Sequence, residues 1–145
     1  MRTTRTARGF IWAALSLQVA GLAWDGIWHG LVRPRVEPTT FRDMLVHLGT
    51  VHLLLYVGVL GVLITTGWAL VERRSRAAPA FAGALLSTIA EAWHASIHLR
   101  LSTSGGPIAE SVAVVGLLVV VVSVWAGGRD ERRGRAASSR ERTAA

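Results

Sequence analysis

The sequence predicts an all-α integral membrane protein, a bundle of four transmembrane helices with both termini cytoplasmic. Three observations carry that expectation. Of the 145 residues, 51% are hydrophobic, and they gather into four blocks spanning 10–32, 44–71, 79–101 and 108–126. Each block reaches the roughly 20 residues needed to cross a hydrocarbon core about 30 Å thick. Lipid offers backbone groups no partners, so each block must be helical. The basic residues are all arginines and sit between the blocks: twelve fall inside under this topology, and four (Arg33, Arg35, Arg42 and Arg100) fall outside. That asymmetry satisfies the positive-inside rule and predicts a multi-pass protein of the cell membrane.

The first block admits a second reading. Arg2, Arg5 and Arg8, an apolar run and the small-residue string GLA ending at Ala23 form the pattern of a cleaved secretory signal. The apolar character continues to Val32, a length that suits a span. Next, RPRVEPTT (33–40) is an outside loop with two prolines. Thr40, with Asp43 three residues on, predicts an N-cap that starts the second helix at Phe41. VERRSRAAP forms the inside turn, and Pro79 fits the opening of the third helix. STSGGP (102–107) turns the chain into the valine-rich fourth span. The transmembrane domain thus covers 1–127, and the charged tail 128–145 is expected to be disordered. Gly21 and Gly26 in the first span, with Gly58 and Gly61 in the second, offer sites for close helix approach.

Composition excludes several functions. There is no cysteine, so disulfides, thiolate ligands and cysteine nucleophiles are absent. The net charge of +7 sits at span ends, which points to the lipid bilayer as partner and away from nucleic acid. A homo-oligomer or further membrane subunits fit the same surface.

The third span is the unusual one, carrying Ser87, Thr88, Glu91, His94, Ser96 and His98 where leucine is ordinary. A central charge costs about 2.5–3.5 kcal/mol on insertion scales, so this helix belongs inside the bundle. At 1.5 Å per residue, His29, His47 and His98 lie about 5 Å below the outer boundary, and Asp25, His52 and His94 about 10–12 Å. Glu91 lies about 15 Å down. All five histidines and both deep carboxylates therefore fall in one half of the membrane, on three helices. Gln18, Asp25 and His29 share one stripe of the first helix, and Ser87, Glu91, His94 and His98 share a face of the third. On the second, His52, Tyr56 and Thr66 align. His47 stands about 140° round the wheel from His52 and joins that face only if the helix is irregular.

Imidazole with carboxylate is the donor set for copper, iron or zinc, whereas magnesium and calcium prefer oxygen. The expected ligands are Asp25, His29, His47, His52, Glu91, His94 and His98, in one dinuclear centre or two single sites. Glu91 and His94 form a Glu-x-x-His pair, the spacing used in helical di-iron proteins. Tyr56, Gln18 and Glu110 are expected around the ligands. The plainer role for any one membrane histidine is an interhelical hydrogen bond, and His47 suits it best. Trp24, Trp28 and Trp93 suit an interfacial belt.

The string WDGIWHG (24–30), followed by histidine on the next helix, resembles the intramembrane copper site in the C subunit of copper-dependent membrane monooxygenases, which oxidise methane or ammonia. The resemblance implies Asp25 and His29 as an Asp-x-x-x-His pair, with His47 or His52 as third ligand. It covers about one fifth of the chain. The gap from His29 to the next histidine is longer than the family's, the spans are fewer, and Glu91, His94 and His98 have no counterpart. It therefore implies a metal, with copper the family's own, and does not extend to methane or ammonia oxidation. Two other functions fit the residues: a b-type haem carrier with His52 and His94 as axial ligands, and a proton-coupled transporter working through Asp25 and Glu91.

Overall fold

The computed structural model describes residues 2–34, 37–102 and 106–144, and all the regular structure among them is helical. The elements are α1 (Arg2–Ile27), a single π-helical turn (Trp28–Val32), α2 (Phe41–Thr50), α3 (Leu53–Val71), α4 (Ala77–Leu99) and α5 (Gly106–Ala144). Helix α1 packs along α3, α4 packs along α5, and α3 joins the two pairs by its contact with α4. Both pairs run antiparallel. Gly21 of α1 lies against Leu55, and Gln18 against Gly58, so the chain descends on one helix as it climbs on the other. In the second pair Gly83 faces Gly116, and Gly127 faces Ser75.

Glycine sets these seams. A Cβ on Gly83 would stand 2.7 Å from the Gly116 carbonyl oxygen, and one on Gly116 would stand 2.6 Å from that of Gly83. The two backbones touch there, as small residues permit between membrane helices. Gly58 and Gly21 play the same part between α1 and α3, and Gly61 meets Ala14. Gly26, expected to share that role, has open space where its Cβ would be.

The apolar core occupies one half of the molecule. Ile11, Leu15, Val62, Leu117, Val120 and Val124 close around Ala77, Ala80 and Ala84, one small-residue stripe of α4. On the outside, Val57, Leu60, Ile64 and Trp68 of α3 stand exposed at helical spacing, as do Val115, Leu118, Val122 and Trp125 of α5. A surface that apolar fits acyl chains rather than water. Among the described residues, three stretches are long and apolar enough to cross a membrane: Arg8–Val32, Leu53–Val71 and Gly106–Arg140. Helix α4 has the length and lacks the apolarity, because its polar face carries Ser87, Glu91, His94 and His98, all buried against its neighbours.

Two expectations are corrected. The block 44–71 is not one helix: it breaks between Thr50 and Leu53. The Thr50 hydroxyl donates to the Val46 carbonyl at 2.7 Å and lies 3.3 Å from that of His47, while the Val51 N–H still reaches the His47 carbonyl at 2.8 Å. The backbone of His52 then flattens to ψ −4° before α3 starts. The tail, expected to be disordered, continues α5 as helix through Ala144. It is rich in arginine and alanine, which are strong helix formers. Glu131 of the tail pairs with Arg8 at 2.7 Å, and Asp130 with Arg76 at 3.2 Å. By contrast, the cap on α2 forms as read: the Asp43 N–H donates to Thr40 Oγ1 at 3.2 Å, and the hydroxyl donates to Asp43 Oδ2 at 2.7 Å. The signal-cleavage reading concerns processing, and α1 runs unbroken through Ala23. The connection 33–40 and the turn into α5 are described except at 35–36 and 103–105.

Candidate metal centre

Three local devices aim the histidines at one another. Helix α1 ends in a widened turn, closed by the Arg33 N–H donating to the Trp28 carbonyl at 2.8 Å, which carries His29 beyond Asp25. Such π-turns recur at functional sites. The break after Thr50 rotates α2 relative to α3 and so removes the phase mismatch between His47 and His52. Helix α4 stops just past His98, where Leu101 adopts φ 54° and the N–H groups of Leu101 and Ser102 close on the carbonyls of His98 and Ile97. That is the Schellman pattern with leucine in the position glycine usually takes.

The result is a compact cluster of imidazoles. Every ring-centre separation among His29, His47, His52, His94 and His98 that is short enough to count as contact lies between 4.6 and 6.2 Å. His47 Nε2 lies 3.3 Å from His52 Nε2, and His94 Nε2 lies 2.9 Å from His98 Nε2. His47, His52, His94 and His98 are buried, and His52 is fully so. The tightest nitrogen pairs cut across the shallow and deep layers that depth alone defines.

Carboxylates ring the outside of the cluster. Asp25 Oδ1 stands 3.4 Å from His52 Nδ1 and 3.4 Å from His29 Nε2. Glu37 reaches His29 Nδ1 at 3.1 Å with one oxygen and His98 Nδ1 at 3.7 Å with the other. Glu110 lies 3.7 Å from His94 Nδ1. The buried side-chain atoms without a hydrogen-bond partner among the described residues are Asp25 Oδ1, His29 Nε2, Glu37 Oε2, His52 Nδ1, the Tyr56 hydroxyl, His94 Nδ1 and His98 Nδ1. Every one belongs to this cluster or adjoins it. Buried polar groups left unpaired cost about 1–3 kcal/mol each, so their concentration in one place marks a site and not scattered packing error.

The donor set fits a transition metal. Nitrogens at about 2.0–2.1 Å from zinc lie roughly 3.3 Å apart at a tetrahedral angle and roughly 2.9 Å apart at a right angle. The two observed Nε2 pairs have those spacings. Three groups bring ligand atoms within 4.8 Å of one another: His29 with His47 and His52, His52 with His94 and His98, and Asp25 with His94 and Glu110. Metal-bound histidines usually donate from their second ring nitrogen to a carboxylate; at His52, His94 and His98 a carboxylate oxygen lies 3.4–3.7 Å from Nδ1, close by but without a hydrogen bond.

Most expected residues converge, with two differences of rank and one omission. Glu91 is buried, within electrostatic reach of Asp25 and Tyr56, but it belongs to none of the three groups. Glu110, expected only near the ligands, supplies an oxygen to a group. Tyr56 stacks on the His52 ring at 5.8 Å, and Gln18 donates to Ser87 Oγ at 2.9 Å deeper in the bundle. Glu37 is absent from the expected set. Its signal was its place as the sole carboxylate in the connection between His29 and Asp43, directly before Pro38, which biases it to extended backbone.

Comparison with protein-family models, with curated proteins and with solved structures finds no match. The chemistry of this chain therefore rests on its own geometry.

Proposed function

We propose that this chain is a multi-pass membrane protein that holds a transition metal ion in a buried histidine–carboxylate centre, open towards the extracytoplasmic face, with a redox or metal-handling role. One observation carries the reading. Five imidazoles with Asp25 and Glu110 supply three groups of ligand atoms within 4.8 Å of one another, and the buried Nδ1 atoms of His52, His94 and His98 have no hydrogen-bond partner among the described residues. An imidazole donor set suits zinc, copper or iron. Copper also accords with the resemblance of WDGIWHG to the monooxygenase C subunit. Around His52, either His94 and His98 or His29 and His47 would hold the metal, with Asp25 beside them. Bound there, the ion would supply Lewis acidity or electron transfer. The residues' own work is to hold it dry and fixed, with Asp25, Glu37 and Glu110 setting the imidazole tautomers.

The membrane topology is part of the proposal. Helix α4 makes the fourth crossing, shielded by α3 and α5, and the arginine asymmetry sets both termini in the cytoplasm. Five imidazoles with ring centres at most 6.2 Å apart in the contacts they make leave no slab wide enough for a macrocycle, which weighs against a haem between His52 and His94. Purification in detergent, with metal analysis and a visible spectrum, tests the reading. Stoichiometric zinc, copper or iron without a Soret band is expected. A metal-free protein that takes up none of these ions on incubation would end it.

A further inference from the structure

We infer that the cluster is built for two divalent cations rather than one, with His52 at the junction of the two positions. The inference rests on the metal-binding reading and deepens it. Geometry gives the first reason. The close nitrogen pairs are separate, His47 with His52 at 3.3 Å and His94 with His98 at 2.9 Å. The all-histidine groups within ligand reach are His29–His47–His52 and His52–His94–His98, a third group joins His94 to Asp25 and Glu110, and no group among the described residues unites His47 with His94. A single tetrahedral ion needs all its donors within roughly 3.3 Å of one another, so one ion cannot collect both pairs without moving a helix. His52 alone belongs to both histidine groups, and its burial between α1, α2 and α4 is complete.

The carboxylates give the second reason, since both sets have them. Asp25 faces His29 and His52, Glu37 faces His29 and His98, and Glu110 faces His94. No arginine pairs with any of the three among the described ion pairs, where arginine contacts go to Glu72, Asp130 and Glu131. The two ions would lie side by side. Ring centres of the opposing sets, His47 with His98 and His52 with His94, are only 6.0 and 5.8 Å apart.

Zinc alone is the first probe: the detergent-purified full chain is stripped, loaded with excess zinc, desalted and analysed for metal per protein. Two zinc ions per chain are expected, falling to one in His47→Gln and to one in His94→Gln. One ion per chain in the unaltered protein would overturn the two-ion inference and leave the metal-binding reading standing, whereas none would remove both. Copper(II) supplies a readout that does not depend on the variants folding. Two copper ions at this separation broaden each other's paramagnetic resonance and give a half-field transition, while an isolated copper(II) spectrum at full loading would also overturn the inference.

Discussion

Replacing Gly58 by alanine is expected to disturb the histidine cluster from two turns away. The new Cβ would overlap the backbone nitrogen and Cα of Gln18 and stand 2.8 Å from the Gln18 Cβ. Ordinary contact begins at 3.4 Å, and the obstruction is backbone, which cannot swing aside. Helices α1 and α3 must therefore part by roughly 1 Å, an overpacking that costs about 1–3 kcal/mol. Asp25 lies about 10 Å up α1 from Gln18, and His52 about 9 Å up from Gly58, so both ride at the same level. Rigid displacement of the pair lengthens the Asp25–His52 approach from 3.4 Å towards roughly 4.4 Å. The carboxylate then no longer orients the ring. Two assays report this: the midpoint of denaturant-driven unfolding in mixed micelles, and zinc affinity by chelator competition. Both are expected to fall. Gly26→Ala is the control, since nothing lies within 4 Å of its Cβ, and its unfolding midpoint should shift by less than about 0.5 kcal/mol. Equal behaviour of the two variants would refute the close-approach argument.

Further outcomes follow from other contacts. Asp25→Asn and Glu37→Gln each keep side-chain volume and remove the charge facing an imidazole, so zinc affinity should drop about 10–100-fold with helical content retained by circular dichroism; unaltered affinity would mean that these carboxylates do not support the ligands. The buried Gln18–Ser87 hydrogen bond should give a coupling of about 0.6 kcal/mol, with about 1.7 as ceiling, in a Gln18→Leu, Ser87→Ala double-mutant cycle. A null coupling would make the contact incidental. At the opposite end, the Trp68 indole N–H donates to Glu72 at 2.6 Å, and together with the Arg74 guanidinium it holds the Glu72 carboxyl below its ordinary 4.5. A depressed acid pairs fully above pH 4.5 and loses the pairing as pH falls below it, so the Trp68 emission change, isolated by subtraction of Trp68→Phe, should have a midpoint under 4.5. A midpoint at or above that value would contradict the pairing.

Much of the architecture was readable residue by residue. The apolar blocks marked the long helices, and Thr40 with Asp43 marked the start of α2 to the residue. The placement of histidines and carboxylates at one end was also readable, because depth along a helix is simply residue count times rise. What escaped has a common cause. Periodicity fixes the phase of side chains within one helix, but not the rotation of one helix against another. Gly26 and Gly58 look alike in sequence, yet only Gly58 meets a neighbouring backbone. His47 was out of phase with His52 by count, and the interruption of the helix between Thr50 and Leu53 brings the two rings to 5.0 Å. Glu37, in an irregular connection, had no period to place it.

The amino-acid sequence by itself determined that this chain is helical, that its apolar faces meet lipid-like surroundings, and that its titratable residues collect at one end. Folding alone decided which nitrogens face one another, which carboxylates stand behind them, and that four of the five imidazoles form two close nitrogen pairs. The reason is range. Burial and helical rise act on neighbours in sequence, whereas the meeting of His52 with Asp25 and of His98 with Glu37 depends on contacts between helices, set by backbone approach at a few glycines and by one broken helical ladder.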